Sequence, residues 1–398
     1  MSVPDLFFSV GEPSGDLHAA RVMQHLPAST RSSCRGFGGP QMAAQGCTID
    51  YPLTQLAVVG FAEVLPKLRE FVRVADMASD IFERWPPAGV VLVDFPGFNW
   101  HIAKRARQAG IPVLYYLPPQ LWAWGGWRIK KMRKYVDHVL CALPIEYEWY
   151  AEHGMSCQYI GHPFFDSVAH QQLDAAFLRA WSAADDLLVA VLPGSRSREI
   201  RTIWPLQLEV IRELAARHRR VTFLVACLNQ QHLDHCKSLL KPSDPSERIK
   251  FYANRTSEII EVADCGLMKS GSVSLEMMAR GTPSVVMYHV SRSTYEFARR
   301  VVHVGWMTLP NLIAGTTVMP EFLAVGKQCG PTIERTIAAM DRLLGDREER
   351  TLRKLELARL TRRFGQPGAS ARAAQAICQQ FGIAHATALS TAPGLQTA

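Results

Sequence analysis

The nine cysteines of this chain make no CxxC and no regular spacing, and their number is odd. No signal peptide precedes them, so they read as reduced, mostly buried thiols of a cytoplasmic protein. No apolar run reaches the roughly 18–20 residues that cross a bilayer, which excludes a helical membrane span. His232-Leu233-Asp234-His235-Cys236 lacks the companion ligands of a metal centre, and a solvated helix face is expected there instead. The GxGxxG of a dinucleotide fold and the lysine of a P-loop are missing, as is any repeat of solenoid period. An acidic excess is missing too. The formal charge is +8 and the pI about 9.1, which favours phosphates, nucleic acid or an anionic membrane surface without choosing among them.

What is present is a rhythm of short apolar strands, each followed by a turn and a helix. The 398 residues suit two domains, each with its own core. Leu187 to Leu192 is a buried strand that ends in Pro193-Gly194-Ser195-Arg196, and apolar spacing predicts a helix from Ile200 to Arg220. Gly194 permits close backbone approach, Ser195 can cap, and Arg196 carries a guanidinium fork. The free N–H groups and dipole of a helix start suit a diphosphate. An ordinary strand-to-helix turn is the competing account.

Earlier, strand Leu6 to Val10 leads through Gly11-Glu12-Pro13-Ser14-Gly15-Asp16 to a helix expected from Leu17 to Leu26, with Asp16 as substrate contact or helix cap. Strand Gly89 to Val93 ends at Asp94-Phe95-Pro96-Gly97-Phe98-Asn99. A carboxylate at the end of a parallel strand faces the ligand crevice, so Asp94 is the candidate general base. Asn99 is read as the cap of a helix from His101. Trp122, Trp124 and Trp127, beside Arg128, Lys130, Lys131, Arg133 and Lys134, suit a base, a sugar or a lipid interface; a solvated basic face explains most of the charges. Leu56 to Val74 is amphipathic, as a membrane-resting segment or a helix packed on its own domain.

In the second half, strand Cys265 to Met268 ends in Lys269-Ser270-Gly271-Ser272, a second phosphate cradle. Glu276, one turn into the next helix, can accept from two ribose hydroxyls or simply offset a helix dipole. Leu309 to Gly315 reads as an irregular loop bearing Asn311. The chain becomes helical and charged from Pro331 to Phe381, and Ala/Thr/Ser-rich, hence disordered, from about Ala384. The expected architecture is α/β, two facing Rossmann-like domains with the substrates in the cleft between them.

These motifs in this order resemble the lipid-A-disaccharide synthases, glycosyltransferases of the GT-B fold, from about residue 6 to 380. The resemblance implies an inverting, metal-free and cofactor-free transfer. Donor UDP-2,3-diacylglucosamine and acceptor 2,3-diacylglucosamine 1-phosphate give lipid A disaccharide 1-phosphate and UDP. It implies Asp94 and Arg196 as catalytic residues. It places Gly194, Ser195, Ser270, Gly271, Ser272, Glu276 and Asn311 at the UDP donor, and Glu12, Ser14, Gly15 and Asp16 on the acceptor side. It further implies peripheral attachment to the cytoplasmic face of the inner membrane, no nucleic-acid partner, and a homodimer through the C-terminal parts. The domains expected are 1–170 on the acceptor and membrane side, 171–345 for the UDP-sugar, 346–383 as helices packing across or between protomers, and a tail at 384–398. Gly97 stands where relatives carry a second acid, and Pro118-Pro119-Gln120 where they carry Ser-Pro-Ser. Lys269 stands where alanine or an apolar residue is common, and is read as an added cation near the diphosphate. A UDP-sugar 2-epimerase on the same fold, or a non-enzymatic binder of RNA or membrane, are the alternatives.

Overall fold

A computed structural model describes residues 5–57, 64–302 and 304–384. The chain divides into two compact units. One holds Met1–Asp166 with Pro367–Ala398, the other Ser167–Gln366.

The first unit is built on seven parallel strands: β1 (Leu6–Val10), β2 (Arg35–Phe37), β3 (Thr48–Tyr51), β4 (Gly89–Val93), β5 (Val113–Tyr116), β6 (His138–Cys141) and β7 (Cys157–Tyr159). Their order across the sheet is β3-β2-β1-β4-β5-β6-β7. The central strands are buried along their whole length, because helices cover both faces. One core packs Phe7, Val90, Leu92 and Tyr115 against the helices Val64–Arg84 and Pro96–Gln108. The other packs Phe8, Val91, Val93 and Tyr116 against Pro13–His25 and Ala369–Gln380.

The second unit has six parallel strands: β8 (Leu187–Leu192), β9 (Val221–Cys227), β10 (Ile249–Ala253), β11 (Cys265–Met268), β12 (Ser284–Val290) and β13 (Glu321–Val325). The order is β10-β9-β8-β11-β12-β13. In each sheet the chain reverses direction of winding beside its first strand, between β1 and β4 and between β8 and β11. Loops on either side of such a reversal splay apart at the strands' carboxyl ends and leave a ligand crevice. The turn after β1 therefore neighbours the turn after β4, some eighty residues on, and the turn after β8 neighbours that after β11.

Three helices begin earlier than periodicity predicts, at Pro13, Pro96 and Ser197. Proline breaks a helix inside but fits its first turn, so Pro13 and Pro96 open the helices that they seemed to delay. Leu309–Ala314 is helical as well, again with a proline in its first turn, and ends at the left-handed Gly315. Asn99 consequently lies within a helix and is not its cap. Of the C-terminal helices, Arg347–Phe364 belongs to the second unit and Ala369–Gln380 to the first. In the segment 56–74, residues 58–63 and the side chains of 57–68 lie outside the described residues, as does the tail from 385.

Candidate active site

In the first unit the site begins with strained backbone. Asp94 and Phe95 both take left-handed conformations, with φ of 49° and 45°, at a cost of about 1–3 kcal/mol each for non-glycine residues. Hydrogen bonds hold them there. Tyr115 Oη donates to the Asp94 carbonyl at 2.7 Å, and Asn99 Nδ2 donates to the same oxygen at 2.7 Å. Asn99 Nδ2 also lies 3.2 Å from the Ser9 carbonyl and 3.3 Å from that of Val93, while Ser9 Oγ donates to Asn99 Oδ1 at 2.7 Å. One buried amide thus ties the ends of β1 and β4 together. The Phe95 ring lies on Gly11, where a Cβ would stand only 2.0 Å from it. Gly11 therefore serves packing, and the Phe71 ring lies 6.2 Å from that of Phe95 between centroids.

The backbone of Asp94 is thus fixed, and its carboxyl is left half-buried. Burial first, then the charge of Glu12, lifts its pKa to about 6, against the Phe95 N–H. A carboxylate that titrates near 6 is suited to accept a proton near neutral pH. Gly15 lies alongside, its missing Cβ 3.9 Å from Asp94 Cβ, and Ser14 is exposed. Asp16 is different. It is buried and accepts from the N–H groups of Gly39, Gln41 and Met42 at 3.2, 2.9 and 3.1 Å. Its carboxylate caps the helix Pro40–Ala44, an element that periodicity did not reveal, and is taken up by that task.

The tryptophans divide. Trp122 is buried, with its indole N–H 3.5 Å from Glu146, whereas Trp124 and Trp127 are 46 % and 67 % exposed. Arg128 stacks 4.2 Å over the Trp124 ring. Glu146 is itself buried. Burial lifts its pKa to about 7, against the N–H of Leu143 and the Trp122 indole. No sequence signal separated it from an ordinary helix-start acid.

In the second unit the turn after β8 is held by Glu199. Its Oε2 accepts from the N–H groups of Ser195 and Arg196 at 3.3 and 3.4 Å, and its Oε1 from Lys269 Nζ at 2.9 Å. A Cβ on Gly194, whose φ is 121°, would come within 2.9 Å of that carboxylate. So Gly194 admits the protein's own carboxylate, and two N–H groups expected to be open to a diphosphate are engaged. The Arg196 side chain stays 79 % exposed, 3.6 Å from Glu199. Lys269 is not a loose cation: it bonds Glu199 and lies 5.2 Å from the Tyr288 ring centroid. Burial alone would raise the Glu199 pKa, but the Lys269 hydrogen bond and charge, with the two N–H groups, hold it below its ordinary value.

On the turn after β11, Ser270 is buried and donates to the Met307 carbonyl at 3.1 Å, while Gly271 and Ser272 are exposed. Glu276 pairs with Arg280 at 3.0 Å, and Arg280 reaches Glu261 and Gln171. Asn311 is buried and fully engaged. Its oxygen accepts from Val318 and Met319 N–H, and its Nδ2 donates to the Met319 carbonyl and to Glu321. Glu321 also accepts from the N–H groups of Met307 and Thr308, at 2.7 and 2.8 Å, and from the Thr308 hydroxyl. Asn311 therefore holds the 307–311 segment in shape rather than presenting an amide. The helix Gln230–Ser238, expected to be a solvated face, buries His232, Leu233 and Cys236, and His232 Nε2 sits 3.0 Å from Ser197 Oγ. Among the described residues no group of three His, Cys, Asp or Glu side chains could hold a metal ion.

Two parallel sheets of this strand order, each with its motif turns at the reversal of winding, are those of the GT-B fold. The chain superposes on UDP-GlcNAc 2-epimerase from Neisseria meningitidis bound to UDP-GlcNAc with a TM-score of 0.60 at 12 % identity, covering 95 % of this chain and 100 % of that one. It superposes on spinosyn rhamnosyltransferase SpnG complexed with thymidine diphosphate with a TM-score of 0.54 at 14 % identity, covering 94 % and 100 %. Both likenesses are of fold alone. Sequence is more specific: this chain belongs to the lipid-A-disaccharide synthetase family, whose model matches residues 6–377. It is 33 % identical to the lipid-A-disaccharide synthase of Anaeromyxobacter dehalogenans over 371 residues, covering 92 % of this chain and 95 % of that protein. It is 31 % identical to that of Myxococcus xanthus over 378 residues, covering 94 % and 97 %.

Proposed function

We propose that this protein joins UDP-2,3-diacylglucosamine to 2,3-diacylglucosamine 1-phosphate, with inversion, giving lipid A disaccharide 1-phosphate and UDP. The observation that carries the reading is Asp94, a desolvated carboxyl lifted to about 6 and rigidly presented at the reversal between β1 and β4. In one displacement the acceptor hydroxyl oxygen forms a bond to the donor's anomeric carbon, and the bond from that carbon to the diphosphate oxygen breaks. The hydroxyl proton passes to Asp94, and UDP leaves with the electron pair. Arg196, exposed at the start of a 21-residue helix, meets the charge that develops on the departing diphosphate. Gly194, Ser195, Ser270, Gly271 and Ser272 form the turns that receive UDP. Glu276, its charge balanced by Arg280, accepts from the ribose hydroxyls. Glu12, Ser14 and Gly15 border the acceptor, while Asp16 and Asn311 support the two turns from behind.

Both substrates carry acyl chains, so the enzyme works at a membrane surface, on the cytoplasmic face of the inner membrane, as a homodimer. No helix among the described residues is long and apolar enough to cross a membrane, which suits peripheral attachment. Incubation of the purified protein with both acylated sugars, read by mass spectrometry, tests the reading. The tetra-acylated disaccharide phosphate is the expected product. Its absence, with epimerised UDP-GlcNAc formed from UDP-GlcNAc alone, overturns it.

A further inference from the structure

Helix Arg292–Val301 buries none of its ten residues. Its sequence is nonetheless sorted. At about 100° per residue, Arg292, Glu296, Arg299 and Arg300 share one side, and Tyr295, Phe297, Ala298 and Val301 take the other. Phe297 is 62 % exposed and Val302 38 %. The helix is firmly started, since Ser291 Oγ accepts from the Thr294 N–H at 3.1 Å. Tyr295, Ala298 and Val301 are half-buried while Phe297 stands open, and a helix that sorts apolar from charged residues yet leaves its apolar side incompletely covered in its own unit is matched to an apolar medium elsewhere. Three arginines against one glutamate give its polar side a positive excess, which complements an anionic surface and not a basic one. Long arginine side chains can also reach headgroups while aromatic and β-branched neighbours sit at the acyl boundary. A few residues later the same chain supplies the Met307 carbonyl that accepts from Ser270, so the helix lies just before a wall of the proposed UDP turn.

We propose that Arg292–Val301 is an interfacial helix that seats on an anionic lipid surface. It gives the nucleotide-binding unit its own contact with the bilayer that holds the acylated donor. The inference rests on the transferase reading above for its purpose, but not for its test. Full-length protein is floated with vesicles of phosphatidylcholine and with vesicles of phosphatidylcholine and phosphatidylglycerol, as wild type, Phe297→Asp and Arg299→Glu/Arg300→Glu. Wild type floats with the mixed vesicles, and amide hydrogen exchange slows across 294–302 when they are added. Each variant loses flotation by roughly tenfold, while UDP affinity and transfer between detergent-dispersed substrates stay at the wild-type level. Unchanged flotation of both variants, or exchange that does not slow, overturns the proposal. So does a Phe297→Asp protein that sediments as a smaller species than wild type, because a second copy then covers this face. A wild type that transfers nothing in detergent refutes the transferase reading, and the vesicle measurements still judge the helix.

Discussion

The two reversals of winding use carboxylates in opposite ways. At the first, Asp94 has its backbone tied by Tyr115 and Asn99, while the carboxyl is half-buried and its pKa lifted to about 6. At the second, Glu199, Glu276 and Glu321 are all engaged, by Lys269, Arg280 and a row of N–H groups, and the exposed group is the cation Arg196. A proton acceptor must be destabilised as an anion, so the fold buries Asp94 beside Glu12 and sets the Phe95 N–H, not a cation, against it. A cradle for a leaving diphosphate must offer positive charge without collapsing, so the fold neutralises its own acids first. Strain and burial shape the first turn, and charge pairing shapes the second.

The sharpest way to break this comparison is to remove the group at each turn. Asp94→Asn keeps shape and hydrogen-bonding atoms but cannot take a proton, and turnover should fall by about 10²–10⁴ with thermal stability unchanged or raised. A product-release assay together with a melting curve checks it, and near-wild-type turnover would falsify the assignment of the base. Arg196→Ala should cost about 10²–10³ in kcat, the range for one lost stabiliser of developing charge, with little change in acceptor KM. If only the donor KM rises, Arg196 binds ground-state UDP and does not act on the leaving group.

How much of this was legible beforehand follows from how local each signal is. Asp94 stood out because a charged residue ends a uniformly apolar strand, and Arg196 because a Gly-Ser-Arg turn follows another. Both sheets could be read as alternating strands and helices, though the edge strands Thr48–Tyr51 and Glu321–Val325 could not. Both are only partly buried; Thr48–Tyr51 carries no apolar run, and in Glu321–Val325 the run is only four residues long behind a glutamate. The supporting residues were hidden for a different reason. Glu199 looks like any acid in a first helical turn until Lys269, 70 residues on, is seen against it. Asp16 looked like a cap for its own helix and instead caps another, 23–26 residues away. Asn99 was assigned to a helix end, but it is the buried knot between β1 and β4. Partnerships across a sheet reversal leave no periodic trace in the chain.

A smaller effect tests the pairing logic of the second turn. Lys269→Ala leaves Glu199 with only the exposed Arg196, 3.6 Å away, as a cation beside the turn that receives UDP, so UDP affinity should fall by about tenfold, roughly 1.4 kcal/mol. Lys269→Met/Glu199→Gln removes both charges and should restore most of it, as isothermal titration would show. If the double variant is as weak as the single one, Lys269 acts on the diphosphate directly and not through Glu199.

The smallest effect concerns the first turn and is a shift along the pH axis. A base works only when deprotonated, so turnover should rise with pH through about 6, where Asp94 loses its proton. Two causes lift that value: burial first, then the negative charge of Glu12. Glu12→Gln removes the second and leaves the first. The anionic form of Asp94 becomes easier to reach, and the rising limb should move to lower pH while remaining above the ordinary aspartate range. Because Glu12 makes no side-chain cap to its helix, the variant should keep wild-type stability, which isolates the effect of its charge. A limb that stays in place would mean that burial alone sets the titration, and one that moves to higher pH would mean that Glu12 stabilises rather than opposes the charge on Asp94.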